Sequence, residues 1–261
     1  MSEQVVAVEQ DGAVAHILLD RPPVNAVTAE LYRQLIAVID EIGANHDVRA
    51  VVVRSTLEKA FCAGADMKEV STVLADADEG ADEERQRLAR TSFFKLADLP
   101  QPTIAVLNGH ILGTGVGIAG SCDIRIGTAD MRLGLPEIKV ARCGGGRHLM
   151  RLLPQGLVRQ MFFTGNPIDG ETARHFGLVQ SVYPDLKAAT AAASELAAEI
   201  ANKSPLALRL AKQALNEIEM MPLKEGYRHE QTFTVRLGRS NDAKEATAAF
   251  LERRPPQFTG T

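Results

Sequence analysis

The chain has 261 residues, 45% of them hydrophobic and 24% charged, with a formal net charge of −4. This length and apolar fraction predict one large domain, or a domain with a helical appendage, whose core needs no covalent staples. The slight acidity, with basic residues scattered apart from short pairs such as Arg253–Arg254, argues against a general nucleic-acid-binding surface.

Three cysteines, Cys62, Cys122 and Cys143, form an odd set without CxxC or Cys/His spacing. That pattern disfavours a disulfide framework and a zinc site and predicts reduced thiols. Met1 to Asp11 lacks the basic and apolar regions of a signal peptide, and no apolar run reaches the length of a membrane span. The expectation is a cytoplasmic protein with no metal, no redox cofactor, and neither a nucleic-acid nor a membrane partner.

In chain order, Ala13–Leu19 reads as a strand. A helix follows, capped by Thr28, with an apolar face at Leu31, Leu35, Val38 and Ile42 and a left-handed stop at Gly43. Ala50–Arg54 and Thr103–Leu107 are short apolar runs of the buried-strand type, and strand–helix–strand order predicts parallel or mixed pairing.

Between these two runs, Ser71 to Arg90 carries acidic residues at Asp76–Glu84 and then basic ones, as a solvated helix or loop would. A lid role stays open. Further on, Asp169 caps a short helix ending at Gly177, Leu178–Tyr183 is extended, and Asp185–Lys203 is an alanine-rich helix. Ser204–Pro205 begins another helix, with one apolar face at Leu208, Ala211, Leu215 and Ile218.

Three stretches carry potential chemistry. In Ala60–Glu69 (AFCAGADMKE), small residues at 63 to 65 let another molecule approach the backbone. At a helix start the Ala65 N–H would be unpaired and able to stabilise an oxyanion; a plain strand-to-helix turn is the alternative. In Asn108–Gly120 (NGHILGTGVGIAG), Thr114 N–H is a second such donor.

The same run contains Gly115, Gly117 and Gly120 in GxGxxG spacing, but too few residues separate Gly120 from the next strand-like run, Ile124–Ile126, for a dinucleotide crossover helix. In Leu133–Ile138 (LGLPEI), Glu137 follows a proline among apolar residues. Burial there would raise its pKa toward the range of a general base, while an exposed turn carboxylate is the simpler alternative.

Together the three stretches resemble the enoyl-CoA hydratase/isomerase (crotonase) superfamily. FCAGADMKE looks like its first oxyanion loop, QPTIAVLNGHILGTGVG like its second, and LGLPEIKV like its glutamate-bearing segment. Arg21–Pro22 with Asn25–Ala26, the run 162–184 and AFLERRPPQF near the C-terminus extend the likeness over nearly the whole chain.

The resemblance implies an α/β fold, a spiral of repeated ββα units over residues 1–200. It also implies a C-terminal helical oligomerisation region over 201–261, giving a homotrimer or a hexamer built as a dimer of trimers. For the site it implies Glu137 as acid/base, an oxyanion hole from Ala65 and Thr114 N–H, and an acyl-CoA substrate contacted by Ala63, Ala65, Asp66, Met67, Lys68 and Thr114. Arg21 and Ala26 would lie near the CoA moiety, with Arg253 reaching it from an adjacent subunit. Coenzyme A enters only as part of the substrate.

Two departures bear on the reaction. Hydratases of the family use two glutamates, and the position of the first is Gly117 here. The loop 141–148 (ARCGGGRH) also differs, which opens the pocket to Arg142, Cys143 or His148, and His110 keeps a local or a pocket role.

A single carboxylate suits a Δ3-to-Δ2 double-bond shift better than hydration. The expectation is therefore an enoyl-CoA isomerase. The rivals are a hydratase with a substitute acid, decarboxylation or hydrolysis of a specialised acyl-CoA, and a non-catalytic acyl-CoA binder. The acyl pocket is expected to draw on residues 71–99, where Phe93 and Phe94 suit either a pocket wall or the core.

Overall fold

A computed structural model describes residues 3–75 and 79–261. Asp76, Ala77 and Asp78, the beginning of the acidic run, lie outside the described residues.

The chain opens with an antiparallel hairpin, β1 (Val6–Asp11) and β2 (Val14–Leu19), followed by α1 (Ala29–Ala44). Next come β3 (Ala50–Ser55), β4 (Ala60–Cys62), α2 (Met67–Ala75) and α3 (Glu79–Ala97). The pattern then repeats as β5 (Thr103–Leu107), β6 (His110–Leu112) and α4 (Thr114–Gly120). It repeats again as β7 (Ile124–Thr128) and β8 (Arg132–Gly134), a 3-10 turn (Pro136–Val140), α5 (Gly146–Leu149) and α6 (Gln155–Thr164). After β9 (Ile168–Asp169), α7 (Gly170–His175) and β10 (Ser181–Tyr183), the chain is helical: α8 (Leu186–Ala201), α9 (Pro205–Ile218), α10 (Leu223–Gly238) and α11 (Asn241–Glu252).

The first strand of each repeat joins a six-stranded sheet of order β1-β2-β3-β5-β7-β10, and the second joins a four-stranded sheet of order β4-β6-β8-β9. Pairing is parallel except for β1 with β2 and β8 with β9. Each strand–strand–helix unit thus advances one position along both sheets, which is the spiral that the resemblance implied.

Side-chain alternation explains why AVVVR and TIAVL look uniformly apolar. Val51, Val53, Ala105 and Leu107 enter the core beneath the large sheet, where α1 and α3 also pack. Ala50, Val52, Ile104 and Val106 face the opposite way, onto Ala189, Ala193, Ala197 and Ala201 of α8. Both faces of these parallel strands are buried, so apolar residues fill both, and the polar members Arg54, Ser55 and Thr103 fall at the strand ends. Alanines four apart on α8 let the helix lie close to the sheet.

Three local expectations need correction. Helix α1 does not stop at a left-handed Gly43; it runs to Ala44 and is capped by Asn45 at φ −83°. A side chain at Gly43 would lie 3.4 Å from Leu99, so that glycine serves close packing. The extended segment after Gly177 is only Ser181–Tyr183, because Leu178 N–H folds back onto Ala173 O.

On α9 the face that packs on the chain is Leu210 and Ala214, whereas Leu215, on the apolar stripe read from the sequence, is 61% exposed. Leu223 of α10 and Phe250 and Leu251 of α11 are also exposed. The last three helices therefore carry an apolar surface that the single chain leaves uncovered.

Candidate active site

The first loop leaves β4 at Cys62. Its main chain is tied to the segment before α1: Ala63 N–H donates to Val24 O at 3.0 Å, Val27 N–H to Gly64 O at 2.8 Å, and Asp66 N–H to Val27 O at 2.9 Å. Asn25 holds that segment. Its fully buried Nδ2 donates to Ser55 Oγ at 2.8 Å and Phe61 O at 3.0 Å, and its Oδ1 accepts from Arg21 N–H at 2.7 Å. Ala65 N–H lies between these bonds and has no acceptor among the described residues.

Helix α2 starts two residues later than Ala65. Asp66 opens it by accepting from Lys68 N–H at 2.9 Å and Glu69 N–H at 3.3 Å. Burial pushes the Asp66 carboxyl up, but those two N–H groups and the Arg21 guanidinium outweigh it and hold the group below its ordinary range.

The second loop leaves β6 at Gly113, whose φ of 52° is left-handed and favours glycine. Helix α4 begins at Thr114, and as the first helical residue its N–H has no intrahelical partner. The two loops touch: a side chain at Gly64 would lie 3.3 Å from Leu112 O, and one at Gly113 would lie 3.7 Å from Gly64 Cα.

Ala65 and Thr114 both line one cavity of about 350 Å³. Glu137 stands on its wall, carried by the 3-10 turn that Pro136 starts. Its Oε2 is buried without a hydrogen-bond partner among the described residues, and burial pushes its pKa above the ordinary carboxylate value. The carboxylate lies directly over Gly113, where any side chain would overlap Glu137 Oε1.

Gly117, one turn into α4, faces the ring of Phe93: a side chain there would fall 2.5 Å from Phe93 Cζ. The ring packs edge-on against His148 at 5.3 Å and Tyr32 at 6.3 Å between centroids. An aromatic ring thus occupies the space in which a second carboxylate would project. The other two glycines of the GxGxxG text are also packing glycines, Gly115 against Cys62 and Gly120 against His148.

Burial, with Arg151 and Arg147 nearby, lowers the pKa of His148 and favours a neutral imidazole. Tyr32 donates to or accepts from Thr114 Oγ1 at 3.2 Å, and burial pushes its phenol up to about 12.

Of the residues singled out in the sequence, Ala63, Ala65, Met67, Phe93, Thr114, Glu137, Arg142, Cys143 and His148 line this cavity. Arg21, Ala26 and Asp66 form a neighbouring cluster: Arg21 Nη2 meets Asp66 Oδ2 at 2.9 Å and Nη1 donates to Ala26 O at 2.9 Å. Lys68 is exposed at the start of α2. Arg253, at the end of α11, and His110, on β6, are exposed and do not line the cavity. Phe94 points away and is 57% exposed.

Tyr32 and Arg85 line the cavity without having been singled out. The spacing of Arg85, Ala89 and Phe93, four apart on one helix, was the available signal. No cluster of three or more potential metal-ligating side chains occurs among the described residues. Nor is any described helix long and apolar enough to cross a membrane.

The chain matches the family model described as enoyl-CoA hydratase/isomerase over residues 9–261. It belongs to that family. A hydrolase of Mycobacterium tuberculosis acting on (7aS)-7a-methyl-1,5-dioxo-2,3,5,6,7,7a-hexahydro-1H-indene-carboxyl-CoA is 35% identical over 94% of this chain and 96% of the relative. The short-chain-enoyl-CoA hydratase of Clostridium acetobutylicum is 34% identical over 95% of each. The crystal structure of the Bacillus anthracis enoyl-CoA hydratase superposes with a TM-score of 0.92 at 32% identity, covering 99% of this chain and 100% of that one. As a member of the enoyl-CoA hydratase/isomerase family, the protein is an enzyme acting on CoA thioesters, and its fold is the crotonase fold.

The contact between Gly113 and Glu137 can be tested directly. Gly113→Ala should displace the carboxylate and strain a positive-φ backbone that favours glycine. Activity should fall at least about 100-fold, the low end of what a positioned acid/base supplies. Circular dichroism should still report a folded chain. Unchanged turnover would show that the carboxylate is not held where the structure has it.

Proposed function

We propose that the protein moves the double bond of a 3-enoyl-CoA to the 2-position, with Glu137 as its one acid/base. The thioester oxygen accepts from the N–H groups of Ala65 and Thr114. The Glu137 carboxylate takes a proton from C2, and the electron pair delocalises into the thioester as a dienolate held by the two N–H groups. The resulting carboxylic acid returns the proton at C4, so that the bond order shifts and no atom is gained or lost. Each N–H donor contributes roughly 3 kcal/mol to the transition state, by analogy with other oxyanion holes.

The observation that carries this reading is a desolvated carboxylate, the only one lining the cavity among the described residues, whose Oε2 has no partner among them, facing a site where Phe93 fills the space beside Gly117. Ala63, Asp66, Met67 and Lys68 of the first loop, with Arg21 and Ala26, would contact the thioester and the CoA moiety, and Arg253 would do so from a neighbouring subunit. A second reading, addition of water, is favoured by relatives named as hydratases and hydrolases. In that reading a neighbouring group or an ordered water would take the place of the carboxylate missing at Gly117, beside Glu137.

Separate incubation with 3-hexenoyl-CoA and 2-hexenoyl-CoA distinguishes the two. Isomerisation of the first should exceed hydration of the second by at least about 100-fold, a margin of the size one acid/base contributes; comparable rates would defeat the isomerase reading.

Glu137→Gln should lower isomerisation by roughly 100- to 10,000-fold. Because Glu137 must be ionised to act and its pKa is raised, the acid limb of kcat/KM should lie above the ordinary carboxylate range and vanish in that variant. Stability should move the opposite way. A raised folded-state pKa means the fold binds the proton more tightly than the unfolded chain, so this group's stabilisation is lost as pH rises through that value. Glu137→Gln should therefore raise Tm at pH 8 relative to the parent.

We further propose that the helices from residue 201 onward, packed on the 1–200 spiral, assemble the chain into a homotrimer or a dimer of trimers. The exposed Leu215, Leu223, Phe250 and Leu251 support this. Light scattering should give three or six times 28.2 kDa; a monomeric mass would refute it.

A further inference from the structure

One guanidinium in the cavity takes no part in the chemistry described above. Arg85 is only 8% exposed, yet it lines the same cavity as Ala65, Thr114 and Glu137. Its Nε and Nη2 donate to Asp82 Oδ1 at 3.2 and 3.1 Å. Nη1 has no acceptor among the described residues, although a guanidinium carries five N–H donors.

Arg142, from the loop that follows the 3-10 turn, approaches the same carboxylate, with Nη1 at 4.0 Å from Asp82 Oδ1, and it lines the cavity too. Among the described residues, two guanidiniums therefore approach one carboxylate on this part of the wall.

Position along α3 sets the reach. Phe93 packs against Gly117, one turn from the Thr114 N–H, so it marks the thioester end. Arg85 lies eight residues earlier on the same stripe, about 12 Å along the axis at 1.5 Å per residue. Ala89 lines the cavity between them with a small apolar surface. An acyl chain running from Phe93 past Ala89 would bring its far end to the free donors of Arg85.

We propose that Arg85, with Arg142 beside it, selects acyl-CoA substrates whose acyl chain ends in an oxygen acceptor, a carboxylate binding more tightly than a ketone. The proposal rests on the acyl-CoA reading of this cavity and is independent of which reaction Glu137 performs. Charge-assisted hydrogen bonds of this kind change affinity by about tenfold or more.

Calorimetry with unreactive saturated ligands isolates it from turnover. Adipoyl-CoA, 5-oxohexanoyl-CoA and hexanoyl-CoA have the same six-carbon chain and differ at its end. The whole protein should bind them in that order of decreasing affinity, adipoyl-CoA at least tenfold tighter than hexanoyl-CoA. Arg85→Met should bring that ratio to within about twofold of one, and Arg85→Lys should keep part of it.

Equal binding of the three by the parent protein would overturn the proposal without need of a variant. So would an Arg85→Met protein that retains the preference, or one that loses affinity for free CoA and adipoyl-CoA by the same factor, which would assign the guanidinium to the CoA phosphates. Failure of the isomerase assay alongside a clear adipoyl preference would reject the reaction and leave this site standing.

Discussion

Two main-chain N–H groups without an acceptor among the described residues, at Ala65 and Thr114, are the constraint on which the proposed site depends. Each lies just past a left-handed glycine, Gly64 at φ 100° and Gly113 at φ 52°. Parallel pairing of β4 with β6 brings those two strand ends together, so one residue beyond each the backbone turns away from the sheet with a donor to spare. In the proposed mechanism these groups take the substrate oxygen, and because they are backbone, no side-chain reorganisation is needed during reaction.

The apolar surroundings set the remaining chemistry. Phe93, Tyr32 and the neutral His148 pack around the first turn of α4 and keep bulk water from Gly117. Glu137 pays for that environment with a raised pKa, which places it nearer the strength needed to accept a proton from carbon and return it. A side chain at 117 would meet the Phe93 ring, so a carboxylate there would require that ring to move. The cavity wall also carries the two guanidiniums of Arg85 and Arg142.

Much of the fold was legible because both levels of patterning agree. Thr103–Leu107 and Ala50–Ser55 are buried on two faces, and such strands announce themselves as unbroken apolar runs. The helix starts read at Thr28, Asp169 and Ser204 hold because each side chain accepts the N–H three residues on. The end of α1 was misjudged at Gly43, since a glycine chosen for contact with Leu99 looks the same in sequence as one chosen for its φ. The α9 stripe at Leu215 was legible as apolar, but its direction depends on what covers it, which periodicity cannot specify. In the site, Glu137 and the loop residues were found by the family's motifs, whereas Arg85 sat inside a charge run whose other members, such as Glu84 and Arg87, pair with each other at the surface. One buried cation among solvated ones has no signature short of the helix register that turns it inward.

The account's central claim is that the Ala65 and Thr114 N–H groups together polarise a thioester carbonyl. Infrared difference spectroscopy on the protein with hexanoyl-CoA carrying ¹³C at the thioester carbon measures that carbonyl alone. Two converging donors should shift its stretch to lower wavenumber on binding, in Glu137→Gln as much as in the parent. A bound carbonyl absorbing at its solution frequency would contradict the account.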